Sequence, residues 1–494
     1  MGFQVGVLKG AKRTKDVTPV SILCLLILIY GLTRPPAFLL ITALVYTSFG
    51  ALALIPPALT AGASILAAPV AFLFLIGKLL WMQRTAQIYT RTLVNPSRVG
   101  ILGLFTLVAV VGAFLLPSLF SGELYVIPMR LSTSYSYALT PLYPTTSNIT
   151  QSLYLIISFM IVTAMATMAR LPDFTETFTK AILYAMIAAI ATGMIDFVFG
   201  MAGKTDMLKM FRNASYAMLV DQEVGGGVRR TVGLMPEASS YGTLVIALLG
   251  PLLFMRQLYS PKMTKWVVMP AIGLGFLFAG LSTSSTAYVG IIVIVALHFA
   301  DSIHKAINGD MALRARVAKE LGIISVLGIL GFIGLMALPA TREIIFGLVD
   351  EMLLNKTQSL SYLERSSWNT YALQNFWDTK GFGVGAGSVR TSNFFVNILA
   401  ATGFIGALLF AIFLIQLIGA RARPEQKELK VILHGAKLSV LPILVCAGLV
   451  GTTPDYGIFV ACLFGVIAGA KYVAPPRVVG HIHRQSDADD LQTS

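Results

Sequence analysis

Apolar runs close to 20 residues long, separated by short polar gaps, recur along almost the whole chain. From residue 99 onward they lie near 99–120, 151–171, 178–201, 239–257, 265–281, 284–301, 319–338, 393–419, 434–451 and 454–472. About 20 helical residues cross the hydrocarbon layer of a bilayer. A spanning segment must satisfy its own backbone groups, and the ten-residue alternation of barrel strands is absent, so each run is read as a helix. The gaps alternate in charge. Arg84, Arg91 and Arg98 fill one, and Arg256, Lys262 and Lys265 the next. Lys305, Arg314, Arg316 and Lys319 fill a third, and Arg421, Arg423, Lys427 and Lys430 a fourth. Basic gaps face the cytoplasm, which turns the connections at about 121–150, 202–238, 282, 339–392 and 453 outward.

The first eighty residues read less simply. Runs near 18–33, 37–56 and 61–81 suggest three passes, yet the basic N-terminus (Lys9, Lys12, Arg13, Lys15) and the basic 82–98 gap both belong in the cytoplasm. That requires an even number of passes. Either one run is re-entrant or broken, helped by Pro35-Pro36 or Pro56-Pro57, or the N-terminus lies outside. The expectation is an all-α polytopic membrane protein of about twelve spans with both ends inside. It comprises a cytoplasmic N-terminus over 1–17, one transmembrane domain over 18–474 and a disordered cytoplasmic tail over 475–494. The basic start is no cleavable signal, because further apolar runs follow the first at once. No internal repeat is visible, which disfavours inverted-repeat transporters.

Composition agrees. With 56% hydrophobic and 12% charged residues and mean hydropathy +0.77, the chain falls outside the soluble and disordered classes. The net charge of +14 would suggest nucleic acid in a soluble protein. Here the basic gaps account for it, and no nucleic-acid partner is expected. Cys24, Cys446 and Cys462 all lie in apolar runs without a CxxC pair, and read as small buried residues.

The outward connections carry the candidate chemistry. A connection longer than about 15 residues is usually functional or disordered, and the aromatics of 339–392 argue against disorder. Its cations are Arg342, Lys356, Arg365, Lys380 and Arg390, set among Tyr362, Trp368, Tyr371, Phe376 and Trp377. The spacing of Leu363, Trp368, Leu373 and Phe376 predicts a helix with an apolar face lying along the membrane. Trp368 and Trp377 suit either an interfacial belt or a groove that stacks sugar rings. Glycines at 381, 383, 385 and 387 permit close backbone approach, so Gly383, Gly385 and Gly387 are candidates for a backbone anion nest. No GK[ST] follows, which excludes a nucleotide P-loop.

The 202–238 connection ends in Arg229-Arg230-Thr-Val-Gly233-Leu-Met-Pro-Glu237-Ala-Ser-Ser-Tyr241. Glu237 there can complement the start of a helix or accept a proton beside two arginines. All five histidines (His298, His304, His434, His481, His483) sit at or near the cytoplasmic side. The outward face is left without a histidine triad or a metal-ligand cluster, and neither metal nor cofactor is expected. Arginine-rich, histidine-free sites beside a membrane suit a lipid-linked diphosphate, where bidentate guanidinium contacts replace a metal.

At these residues the chain resembles the O-antigen ligase and polymerase superfamily, integral-membrane glycosyltransferases that act on undecaprenyl-diphosphate-linked glycans. Three patches carry the resemblance. The first is Arg230-Thr-Val-Gly-Leu-Met-Pro-Glu237. The second runs from Arg365 through Ala372-Leu-Gln-Asn-Phe376 and Gly381-Phe-Gly-Val-Gly-Ala-Gly-Ser-Val-Arg390 to Leu399-Ala-Ala-Thr-Gly403-Phe-Ile-Gly406. The third is the hairpin Ser282-Thr-Ser-Ser-Thr286. Family ligases usually carry a histidine shortly after the GxGxG run, where this chain has Arg390-Thr-Ser-Asn393-Phe, so the likeness favours a Wzy-type repeat-unit polymerase.

The resemblance implies a GT-C-like fold in the bacterial inner membrane with its active site facing the periplasm. It also implies a chain-length regulator and a flippase of the same pathway as partners. On it, Arg230, Arg390 and, more weakly, Arg229 bind the diphosphate, Arg365 and Glu237 are catalytic, and Trp368, Trp377 and Tyr241 bind glycan. Transfer from the lipid diphosphate to the non-reducing end of a second lipid-linked glycan would invert the anomeric centre. The alternatives are a ligase acting on a lipid or protein acceptor, and a flippase or exporter of lipid-linked sugars. An exporter would carry charges inside its spans, and Asp196 is the clearest of the few present.

Overall fold

The computed structural model describes residues 18–55, 64–129, 139–214, 218–224, 228–309, 311, 314–315, 317–320, 322 and 360–471. Its helices are α1 Pro19–Gly31, α2 Pro36–Tyr46, α3 Ala67–Trp81, α4 Gln83–Leu93, α5 Pro96–Leu119, α6 Thr146–Met168 and α7 Phe174–Met201. They continue with α8 Ala238–Phe254, α9 Pro261–Leu281, α10 Ser285–Asn308, α11 Leu360–Asp378, α12 Phe394–Ile418, α13 Lys427–Val450 and α14 Gly457–Ala470. Seven of these, α5–α7, α9, α10, α12 and α13, are long and apolar enough to cross a membrane. The pair α3 and α4 adds an eighth if taken together, and α1, α2, α8 and α14 are shorter apolar helices. The chain is a multi-pass, all-α membrane protein. Its strands, among the described residues, are three antiparallel two-stranded ribbons: β1 Ala53–Ile55 with β2 Ile65–Leu66, β3 Tyr125–Val126 with β4 Thr140–Pro141, and β5 Glu223–Val224 with β6 Val228–Arg229.

Local chemistry sets the boundaries. Thr18 caps α1 by accepting from the Ser21 amide, and Asn393 caps α12 by accepting from the amides of Phe395 and Val396. Met82 adopts an extended conformation, so α4 turns 108° away from α3. The polar sequence of α4 (QRTAQIYTRTL) explains why it does not follow α3 through the apolar layer. Close contact in the bundle relies on small residues. An added Cβ at Gly465 or Gly469 of α14 would fall on the carbonyl oxygens of Val162 and Ala166 in α6, the four-residue small-residue spacing that lets membrane helices touch.

Hydrogen bonds gather the connections expected to face outward at one end of the bundle. The Arg390 amide donates to Ile127 O (2.9 Å), Thr231 to Leu281 O (3.1 Å) and Ala51 to Leu234 O (3.0 Å). Asn397 Nδ2 reaches Thr452 O at 3.0 Å. The opposite end is tied by Arg98, which donates to Ala468 O and Gly469 O, and by Lys471, which donates to Ser97 O.

One expectation is corrected. Ser21, at the start of α1, donates to Ala53 O and meets Asn213 of the connection after α7, so the chain begins its first described turn at the outward end. Lys78, near the end of α3, binds Leu32 O between α1 and α2. Three apolar helices, an odd number, therefore precede α4 and α5. The two ends of the described chain lie at opposite ends of the bundle instead of sharing one. Residues 1–17, the tail from 472, Arg342, Lys356 and nearly all of the span expected at 319–338 lie outside the described residues.

Candidate functional site

Helix α11 lies beside the outward connections, pinned where Asn369 Oδ1 accepts from the Ser392 amide at 2.9 Å. It buries Trp368, Ala372, Asn375 and Phe376, whereas Leu363 is 53% exposed. The apolar face is thus turned relative to the one expected, because α11 packs on α12 and the 383–392 segment rather than lying free. Trp377 points away from that face, 72% exposed, with its ring edge-on to Phe376.

Arg390 is the centre of the charged cluster. Its guanidinium lies over the Trp368 ring, 4.2 Å from the centroid, a cation–π contact that holds it flat. Nη1 also reaches Met129 O at 3.5 Å. Burial pulls the Arg390 guanidinium below its ordinary value. Glu364 opposes that shift, Arg365 adds to it and Glu237 opposes it, so all three charged groups lie within electrostatic reach. None of them forms an ion pair with Arg390 within 4 Å. The structure therefore brings Glu237, Arg365 and Arg390 together from three separate stretches of sequence. Glu237 occupies the residue before α8, and its carboxylate accepts from the hydroxyls of Ser239 and Ser240 rather than from a backbone amide. Arg230 follows the flanking β5–β6 ribbon, with Nη1 on Gln222 Oε1 at 3.0 Å and its charge felt by Tyr288. Trp368 is 6% exposed, its face lies under Arg390, and its indole N–H is buried without a partner. It is a platform for the arginine, which corrects its assignment as a sugar-stacking surface.

Three other assignments are corrected by packing. Arg229 is committed to Asp196: Nη2 lies 3.0 Å from Oδ1, and Asp221 is 3.8 Å away. Asp196 is fully buried, pairs also with Arg212 at 2.9 Å, and accepts from the amides of Val232 and Gly233. Tyr241 is likewise fully buried, its hydroxyl on Ala189 O at 3.0 Å, and cannot reach a glycan. The glycines serve chain crossings rather than an open nest. An added Cβ would strike Ala400 O from Gly383, Gly112 O from Gly385 and Ser147 O from Gly387. The Gly383 amide is already used by Thr379 Oγ1.

The same segment mends a break in α12. Gly403 leaves helical geometry (φ 66°, ψ −172°). Gly381 O accepts from the Phe404 amide and Ala400 O from the Val384 amide, both at 2.8 Å. Beside this break, an apolar cavity of about 340 Å3 opens between α5 and α12, lined by Leu107, Val111, Leu115, Phe382 and Ile405 among others.

Sequence reasoning missed two polar elements. Asn148 of α6 binds Ala386 O and Ser388 Oγ, both at 2.8 Å. Asp455, in the turn between α13 and α14, contacts Ser158 and leaves Oδ1 buried without a partner. An acid set between two apolar runs was the available signal for the second; nothing in the sequence distinguishes Asn148. Fold and site define a multi-pass membrane protein with a mixed arginine and carboxylate cluster at one end. Comparison with protein-family models, curated proteins and solved structures finds no match.

Proposed function

We propose that the protein is a membrane glycosyltransferase of the Wzy repeat-unit polymerase type. It would join lipid-linked oligosaccharides at the periplasmic face of a bacterial inner membrane, transferring a glycan from undecaprenyl diphosphate to the non-reducing end of another. The observation that carries this reading is that Arg390, lying over Trp368, has Arg365, Glu237 and Glu364 within electrostatic reach. The apolar cavity beside Phe382 adds support, since a polyprenyl substrate must keep its chain in the membrane next to the charged site. Seven helices of spanning length, an eighth if α3 and α4 are taken together, and four shorter apolar helices would suit a GT-C-like scaffold, with one more span expected at 319–338.

In this mechanism Arg390 and Arg365 hold the diphosphate, with Arg230 at its flank. Glu237 takes the proton of the acceptor hydroxyl as its oxygen bonds to the anomeric carbon and the bond to the diphosphate oxygen breaks. Charge developing on the departing diphosphate is met by the arginines, roughly 3–4 kcal/mol for one well-placed donor. Proton removal by Glu237 contributes about 10²–10⁴-fold. Attack from the face opposite the diphosphate inverts the centre. A chain-length regulator and a flippase would act beside it. Asp196, the buried charge an exporter would use, is engaged by two arginines.

The test is purified protein in nanodiscs with one synthetic undecaprenyl-diphosphate repeat unit, EDTA and no nucleotide sugar. Wild type should build a ladder of products, and Arg365→Ala and Glu237→Gln should lose it. Product only when a distinct acceptor is supplied would make the protein a ligase. Transbilayer movement of intact substrate without a new glycosidic bond would make it an exporter.

A further inference from the structure

The end of the bundle opposite the candidate site holds a second charged feature. A cavity of about 790 Å3 opens there between the start of α5, the α6–α7 turn, the start of α13 and the end of α14. Arg98, Arg170, Arg423, Lys427 and Lys471 line it, against the acids Glu425 and Glu428. Five cations against two acids leave an excess of three positive charges.

Three of the cations, Arg98, Arg170 and Lys471, are held in place by uncharged acceptors. Arg98 Nη1 donates to Ala468 O at 2.6 Å and Gly469 O at 3.0 Å, Arg170 Nη1 to Thr92 Oγ1 at 3.2 Å, and Lys471 Nζ to Ser97 O at 3.2 Å. All of these acceptors are uncharged. Among the described residues no ion pair joins Arg98, Arg170, Lys427 or Lys471 to an acid. The cations instead oppose one another. Burial and then Arg98 pull the Lys471 amine below its ordinary value. Mutual repulsion of like charges around a cavity is relieved by an anion placed between them. The cavity sits where several apolar helices end, and basic pockets between membrane helices take up phosphate-bearing lipids. Its volume falls in the range of small-molecule sites, about 300–1,000 Å3.

We propose that this cavity is a binding site for the phosphate of an anionic phospholipid, held between Arg98, Arg170 and Lys471 with Lys427 at the rim. The site is independent of the transferase reading, because it uses none of the residues of the outward cluster. Its role would be to pin α5, α6, α13 and α14 together at their ends.

The test is native mass spectrometry of the delipidated full-length protein, titrated with phosphatidylglycerol, phosphatidylcholine or inorganic phosphate. Wild type should retain phosphatidylglycerol at concentrations at least about tenfold below those needed for phosphatidylcholine. Arg170→Ala with Lys427→Ala should weaken phosphatidylglycerol about tenfold and leave phosphatidylcholine unchanged. Lys427→Ala alone, at an exposed side chain, should weaken it by several-fold even if the Arg170 variant folds poorly. Equal retention of the two lipids, or unchanged retention in every variant, would overturn the proposal. So would inorganic phosphate displacing the lipid at equal concentration, which would assign the cavity to a free anion.

Discussion

Replacing Gly387 by alanine tests whether the alternating glycines are packing positions. Gly387 has φ +88°, and a Cβ there would lie 2.5 Å from Ser147 O, 2.6 Å from Ser147 C and 2.8 Å from Asn148 Cα. These are backbone atoms, so no side chain can rotate out of the way. The segment cannot easily swing aside either, since Asn148 grips Ala386 O and Ser388 Oγ on either side of the glycine. Left-handed geometry costs an L-residue about 1–2 kcal/mol, and overpacking adds about 1–3 kcal/mol. The expected loss is roughly 2–5 kcal/mol. Gly457→Ala is the control: its φ is +77°, but nothing lies within 4 Å of the added carbon, so it pays only the backbone cost of about 1–2 kcal/mol. Both can be measured by equilibrium unfolding in mixed micelles of mild detergent and increasing dodecyl sulfate. If Gly387→Ala loses no more than Gly457→Ala, the crossing with α6 is not tight. The open-nest assignment would then return.

Two further substitutions separate structure from chemistry. Asp196→Asn leaves Arg212 and Arg229 without their buried counter-charge and should cost about 3–5 kcal/mol in the same assay; a loss below about 1 kcal/mol would refute the pairing. Tyr241→Phe removes only the bond to Ala189 O, about 1 kcal/mol, and should leave KM in the proposed transfer reaction unchanged. A selective rise in KM would put the tyrosine back in contact with glycan.

Much of the architecture was legible because the bilayer imposes a length on every apolar helix. The run expected at 393–419 is α12, Phe394–Ile418, and that at 99–120 is α5, Pro96–Leu119. Alternating charge grouped connections that the structure gathers at one end of the bundle, since topology acts on loops independently of packing. The start of the chain misled because basic residues argued for an even number of passes while the apolar runs numbered three. Charge bias acts on residues flanking the spans, and here two signals of similar strength disagreed. In the site, Glu237, Arg365 and Arg390 were picked out by the patches that hold them, the stretch from Arg230 to Glu237 and the one from Arg365 to the glycine run that ends at Arg390. The roles of Arg229, Tyr241 and the glycines were not legible, because each depends on a partner remote in sequence: Asp196, Ala189, and the backbones of α5, α6 and α12. A glycine that admits a ligand and one that admits another stretch of chain look the same in one dimension.

The break at Gly403 constrains how the outward cluster can move. A helix unwound inside hydrocarbon strands backbone groups that water cannot reach, at several kcal/mol each. The 381–384 segment satisfies them, so it cannot lift away from α12 without stranding them again. Arg390, a few residues further on and tied by its own amide to Ile127, therefore stands on a stationary jaw. The opposing jaw is the first turns of α11, where Glu364 and Arg365 reach solvent. The Asn369–Ser392 bond ties that helix to the same segment, so the charged end of α11 and Arg390 share one support.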